Sequence, residues 1–245
     1  MKRIGPKRRR DIKRLFCSML FCVGLTECAM AAEYFVGKSG NDANDGLSRA
    51  TAFLTVQKGM DALAPGDTLT IGSGEYFGKV KRADLGSAEK ETIIRAEIPG
   101  TVLLRGDVRA PAFEKTDGYR YVYAARFDQA PQSVNEVDTL TVFRLAPNRG
   151  ELDFRPGSYH YDEAGKTLYL STSDLRDPKN HYYTVPVIPD NGLRLDRPRR
   201  VVIEGLAFTG FNANRHFGWS GHQHGVVWGL HLSEPERCVV RECAA

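Results

Sequence analysis

The stretch from Tyr34 to Val80, YFVGKSGNDANDGLSRATAFLTVQKGMDALAPGDTLTIGSGEYFGKV, constrains the fold more than any other part of the chain. Tyr34 and Val36 suit an extended segment, and GNDANDG is dense in residues that turn a backbone. Phe53, Val56, Met60 and Leu63 then fall three, four and three positions apart, which places them on one face of a helix. Pro65-Gly66 stops that helix. Beyond it, Thr68 to Ile71 alternates polar and apolar residues with Leu69 and Ile71 on one side, and GSGEY turns the chain again. Strand, turn, helix and strand in such quick succession read as the start of a solenoid, its helix covering the open apolar end of the first unit.

The rhythm continues in short extended pieces around Thr68 to Ile71, Thr92 to Ala96 and Val102 to Arg105, with Ile94 and Leu103 expected to face inward. Residues 107–190 break it. YRYVYAARF, TLTVFRLA and HYYTVPV are longer and rich in aromatics, and SYHYDEAGKTLYL reads as a hairpin with Asp162 and Gly165 in its turn. The stacked rhythm is expected to resume at Arg200. RVVIEGLAFTGF and RCVVRECAA superpose with Val201 on Cys238, Ile203 on Val240 and Leu206 on Cys243, an internal repeat. Between the copies, Asn212 to His224 forms a polar, aromatic loop and Gly225 to Ser233 another strand.

The ordered set YFVGKSGNDANDG, AFLTVQKGMDAL and PGDTLTIGSGEY resembles the N-terminal region of right-handed parallel β-helix proteins. These include family nine pectate lyases, alginate and chondroitin lyases, and several glycoside hydrolases acting on polysaccharides. The hairpin SYHYDEAGKTLYL is similar to one found in β-helix glycosidases. The resemblance implies an all-β, right-handed parallel β-helix (solenoid) with an N-terminal capping helix over 53–63 and an inserted antiparallel segment. Residues 32–106 are its cap and first coil, 107–190 the insertion and 191–245 further coils. The chain stops at Ala245 directly after a strand, so the expectation is a piece of a longer solenoid. The implied function is that of an exported polysaccharide lyase or glycoside hydrolase lacking its downstream catalytic coils. The alternative is a non-catalytic carbohydrate-binding or cell-surface structural β-helix.

Charge narrows the partners. The net charge is +4, but Lys2, Arg3, Lys7, Arg8, Arg9, Arg10, Lys13 and Arg14 stand against only Asp11 and Glu27 before residue 32, so the rest is net acidic. That removes the argument for nucleic acid. The basic start, the apolar run from Leu15 to Leu25 and the small-x-small triplet Ala29-Met30-Ala31 read as a signal peptide over 1–31, cut before Ala32. The run is shorter than the roughly 18 to 20 residues a spanning helix needs. The expected product is therefore a monomer without a membrane span, secreted, periplasmic or on the cell surface, with a polysaccharide as partner. Cys17, Cys22 and Cys28 leave with the leader. The remaining Cys238 and Cys243 fall where the repeat places inward aliphatic residues, so two buried thiols are preferred to a bridge.

Four groups could do chemistry. His216, His222 and His224 with Trp219 crowd one loop, and His-x-His on extended backbone presents both rings on one face, fit for metal or substrate. Asp42 and Asp45 offer oxygens for calcium, although no glutamate closes the loop as in an EF-hand, so no cofactor is implied by a specific motif. Glu204 and Arg241 occupy equivalent places in the two repeats and face outward on one sheet, where a base and a cation would be needed. Trp219, Trp228 and Tyr161 present faces on which a sugar can stack.

Overall fold

The computed structural model describes residues 30–211 and 229–244. From Ala31 onward the described residues make one compact unit, β throughout apart from one α-helix and two 3-10 turns. Six strands open it: β1 (Glu33–Val36), β2 (Thr68–Ile71), β3 (Gly74–Phe77), β4 (Val80–Ala83), β5 (Thr92–Ala96) and β6 (Val102–Arg105). The helix α1 (Val56–Ala62) lies between β1 and β2.

Nine short strands follow: β7 (Asp107–Arg109), β8 (Glu114–Lys115), β9 (Tyr123–Arg126), β10 (Asn135–Glu136), β11 (Thr141–Val142), β12 (Arg144–Leu145), β13 (Ser158–Asp162), β14 (Thr167–Ser171) and β15 (Tyr183–Pro186). The described chain closes with β16 (Leu193–Asp196), β17 (Val201–Glu204), β18 (Leu206–Thr209), β19 (Leu230–Ser233) and β20 (Val239–Arg241).

Strands far apart in sequence stack in parallel on three walls, ordered β1-β2-β5-β17-β20, β3-β6-β18 and β4-β16-β19. Along the chain, β2, β3 and β4 go one to each wall, then β5, β6 and β16, then β17, β18 and β19. Each pass lies on the one before it. Tyr34, Leu69, Ile94, Ile203 and Val240 stand in register on the first wall. Leu69, Ile94 and Ile203 are fully buried in one core with Val102, Leu104, Leu193, Leu195 and Leu206. Each such side chain stabilises the fold by roughly 1.5–3 kcal/mol relative to exposure. Val240 keeps the register but is 44% exposed, because β20 is the edge of its sheet. The same edge leaves Cys238 and Cys243 free and half-exposed instead of buried.

Four other expectations are corrected. Val102 and Leu104 point inward, so Leu103, between them on a strand of period two, faces the other way. The SGEY segment contributes to β3, paired with β6, and is not a turn, although the two glycines of GSGEY read as one. The parallel stacking resumes at Leu193, which pairs with Val80, seven positions before Arg200. The helix begins only at Val56, because Phe53 forms a parallel bridge with Val36 and Thr55 caps the first turn by accepting from the Lys58 N–H.

Two sheets, β11-β10-β15-β7 and β12-β13-β14-β9-β8, occupy residues 107–190, antiparallel except for β12 on β13. In the hairpin, Tyr159 stands opposite Leu170 and Tyr161 opposite Leu168. Phe143, Tyr159, Leu168, Leu170, Tyr183 and Val185 give this part a core separate from that of the stacked strands. The insertion leaves after β6 and returns before β16, at the corner between the second and third walls. Its two ends are zipped together, the Gly106 carbonyl accepting from Val187 N at 2.9 Å and Ile188 N at 3.2 Å. Buried Phe211 packs on both: a Cβ on Gly106 or Gly192 would come within 2.5 Å of its ring. In the first pass only Gly78 and Lys79 span this corner.

Candidate functional site

The outward row of the first wall carries Thr70, Arg95, Glu204 and Arg241 in register. Arg241 binds Glu204 at 2.8 Å, and Arg95 binds Glu33 at 2.9 Å while donating to Thr70, whose hydroxyl also donates to Glu33. The Thr70 hydroxyl, followed by the Arg95 guanidinium, holds the Glu33 carboxyl below its ordinary range despite partial burial. The row is a ladder of mutually satisfied charges. Glu204 and Arg241 are brought together, each as the other's partner.

Asp42 and Asp45 serve the turn that contains them. Asp42 accepts from the N–H groups of Leu54 and Thr55 at 2.8 and 2.9 Å and from the Thr55 hydroxyl at 2.8 Å, orienting the residue that caps α1. Burial raises its pKa, but those bonds outweigh burial and leave it lowered. Asp45 accepts from Leu47 N at 3.0 Å. Among the described residues no three His, Cys, Asp or Glu side chains form a metal-holding group. Tyr161 is half-buried and donates its hydroxyl to the Phe127 carbonyl at 3.0 Å, which fixes its ring in the hairpin. His216, His222, His224, Trp219 and Trp228 lie outside the described residues.

Among the described residues the densest grouping of ionisable side chains sits in the insertion, where no local sequence signal points to it. Glu136, fully buried on β10, accepts from Thr139 Oγ1 at 2.7 Å, from Tyr183 OH at 3.0 Å and from the Ser173 hydroxyl. His181, its side chain 7% exposed, places Nδ1 2.8 Å from Asp138 and Nε2 3.2 Å from Asp174, with Glu136 at 3.8 Å. Burial alone would lower the His181 pKa, but the bonds to Asp138 and Asp174 and the charge of Glu136 outweigh burial and raise it above its ordinary value. Burial, then the Glu136 charge, pushes the Tyr183 phenol well above its ordinary range. These groups come from segments 37 to 47 positions apart, which is why no motif announces them. Every one of them is aimed at another, so the cluster pins β10 and β15 to the loop after β14.

An open, mostly apolar concavity lies elsewhere, at the corner spanned by Gly78 and Lys79. A cleft of about 390 Å³ is lined by Leu54, Val56, Tyr76, Phe77 and Leu104, with Lys38, Gln57 and Lys79 among its polar groups. Phe77 is 52% exposed and Leu54 42% exposed, so both present apolar surface at its mouth. Lys38 lies over the Tyr76 ring at 5.1 Å, and Lys79 pairs with Asp190 at 2.9 Å, tying the end of the insertion to this rim. Small-molecule pockets share this combination of an apolar floor and a few polar groups.

Known structures share this architecture. A chain from the complex of XylC with xylose matches 72% of this chain and 40% of its own length, with a TM-score of 0.53 and 16% identity. A chain described as a glycoside hydrolase matches 74% of this chain and 51% of its own, with a TM-score of 0.51 and 14% identity. The likeness is one of fold. This chain spans about half or less of the length of either. No family model matches it. No curated protein does either.

Proposed function

We propose that the chain is part of an exported carbohydrate-active protein of parallel β-helix type, related in kind to glycoside hydrolases, and that this part holds glycan without cutting it. The three parallel ladders, laid down wall by wall, support the β-helix reading. The shared fold of a xylose complex and a glycoside hydrolase favours a glycan ligand over other classes. The observation that carries the binding role is the cleft at the Gly78–Lys79 corner, whose exposed Phe77 offers a flat apolar face to a sugar ring.

Hydrolysis needs two carboxylates flanking a glycosidic bond, free to take and give a proton. Residues 212–228 contain no Asp or Glu, so every carboxylate from Met30 onward lies in the described part. The grouped ones, Glu33, Glu204, Glu136, Asp138 and Asp174, are all held by donors of this same chain. A lyase-type base and cation pair at Glu204 and Arg241 is likewise closed on itself.

The test is binding and turnover on a panel led by xylose-containing polysaccharides. Retardation in affinity electrophoresis with no release of reducing or unsaturated ends is the expected result. Phe77→Ala should weaken retardation roughly fivefold, the loss of one stacking face. Sugar release by the purified chain, or undiminished binding by the variant, would overturn the assignment.

A further inference from the structure

The first strand begins on an unusual contact. Ala32 N donates to Asp67 Oδ1 at 2.8 Å, and Ala64 N donates to Asp67 Oδ2, also at 2.8 Å. Asp67 is 6% exposed, so both oxygens of a buried carboxylate are taken by two backbone N–H groups. One belongs to Ala64, just past the end of α1, and the other to Ala32, the residue before β1, whose carbonyl also accepts from Thr68 N at 2.9 Å. Immediately upstream the chain changes character: Met30 is 90% exposed and Ala31 is exposed. Ala31 closes the small-x-small triplet Ala29-Met30-Ala31.

We propose that hydrolysis of the Ala31–Ala32 bond by a leader-removing endopeptidase completes the fold, by turning the Ala32 amide into an ammonium that forms an ion pair with the waiting Asp67 carboxylate. Water supplies the hydroxyl to the Ala31 carbonyl carbon, which departs as a carboxylate, and the Ala32 nitrogen takes up protons to become the cation. Before the cut only the acceptor of this bond is charged; afterwards donor and acceptor both are, and the same two atoms form an ion pair. Asp67 is thus a receptor for a new N-terminus, and removal of the leader is coupled to stability. This inference rests on the export part of the proposed function but not on its glycan part, and N-terminal sequencing separates it from the binding test.

A raised α-amino pKa in the folded state adds stability that is fully present below the ordinary value of about 7.7–8.0 and is lost as pH rises through the folded value. The experiment expresses the full chain in an exporting host, sequences the N-terminus of the product and compares that product with its N-terminally acetylated form. Ala32 is expected first, with acetylation lowering Tm by about 2–4 °C at pH 6.5 and the gap closing by about pH 10. In Asp67→Asn acetylation should have no effect. Should that variant fail to fold, the pH dependence of the acetylation gap in the parent decides alone. No cleavage, a different first residue, or an acetylation effect that is absent or independent of pH overturns the proposal.

Discussion

His181 shows how much one side chain can be asked to reconcile. It stands between Asp138 and Asp174 with buried Glu136 behind it and Arg176 on the far side of Asp174. Its raised pKa means that the protonated ring adds stability in full below about pH 6.5, an increment that disappears as pH rises through the folded value. Asp138 and Asp174 are shifted the other way, and their share is present above about pH 4 and is lost on further acidification. The cluster is therefore strongest between about pH 4 and 6.5. His181→Ala leaves Glu136 without its cation and should cost about 3 kcal/mol at pH 6, the low end for an orphaned buried charge because Asp138 and Asp174 reach solvent. Urea unfolding at pH 6 and pH 8.5 checks this: the wild-type advantage should shrink at the higher pH, and an equal gap at both would refute the charged-ring account. None of this was legible from HYYTVPV, since a buried ion cluster is assembled from segments whose sequence neighbours say nothing about one another.

Elements were legible where their signal is local. The helix was readable because Val56, Met60 and Leu63 repeat at helical spacing, and the hairpin because Asp162 and Gly165 bracket alternating residues; both are present. The stacked strands are only three to five residues long, too short for a period to stand out, so β3 reads as a turn and β16 carries no local signal. A longer alignment held the clue: LRLDRPRR at 193–200 matches LHLSEPER at 230–237, the same spacing of 37 that joins Glu204 to Arg241. Pro198 aligns with Pro235, and Arg197 and Glu234 both take positive φ, so the corner itself repeats. Arg197 there reaches back one pass to Asp84 through two bonds of 2.9 Å. The helix meets the first wall through Gly59, where an added Cβ would lie 2.6 Å from Leu69 Cδ1 and 2.7 Å from Val36 Cγ2. Helix propensity alone favours alanine over glycine by about 1 kcal/mol. Packing should win here: Gly59→Ala is expected to destabilise by roughly 1–3 kcal/mol, read as a lowered Tm. A stabilised variant would show that the helix does not seat on Leu69 and Val36 as described.

Taken whole, the molecule consists of stacked passes and one large insertion that share a corner but not a core. The stacked strands bury Leu69, Ile94, Ile203 and Leu195 together, whereas the insertion buries Phe143, Leu168, Leu170 and Tyr183 among themselves. The first pass crosses that corner with Gly78 and Lys79 alone, so its geometry does not require more. The bond from Val187 N to the Gly106 carbonyl brings the two ends of the insertion together at the same corner. Replacing 107–190 with a Gly-Lys link should therefore leave the ladders intact. The excised protein is expected to keep its β-type circular dichroism and a cooperative thermal transition within about 5–10 °C of the parent, since it loses the Arg105–Asp107 and Lys79–Asp190 pairs but little of the stacked core. It should also lose the histidine-dependent pH profile, because Glu136, Asp138, Asp174 and His181 leave together. A non-cooperative, dye-binding product would mean that the passes depend on the insertion for their core. Phe211, wedged between Gly106 and Gly192, would then be the place to look for that dependence, because its ring lies against both glycines that flank the excised segment.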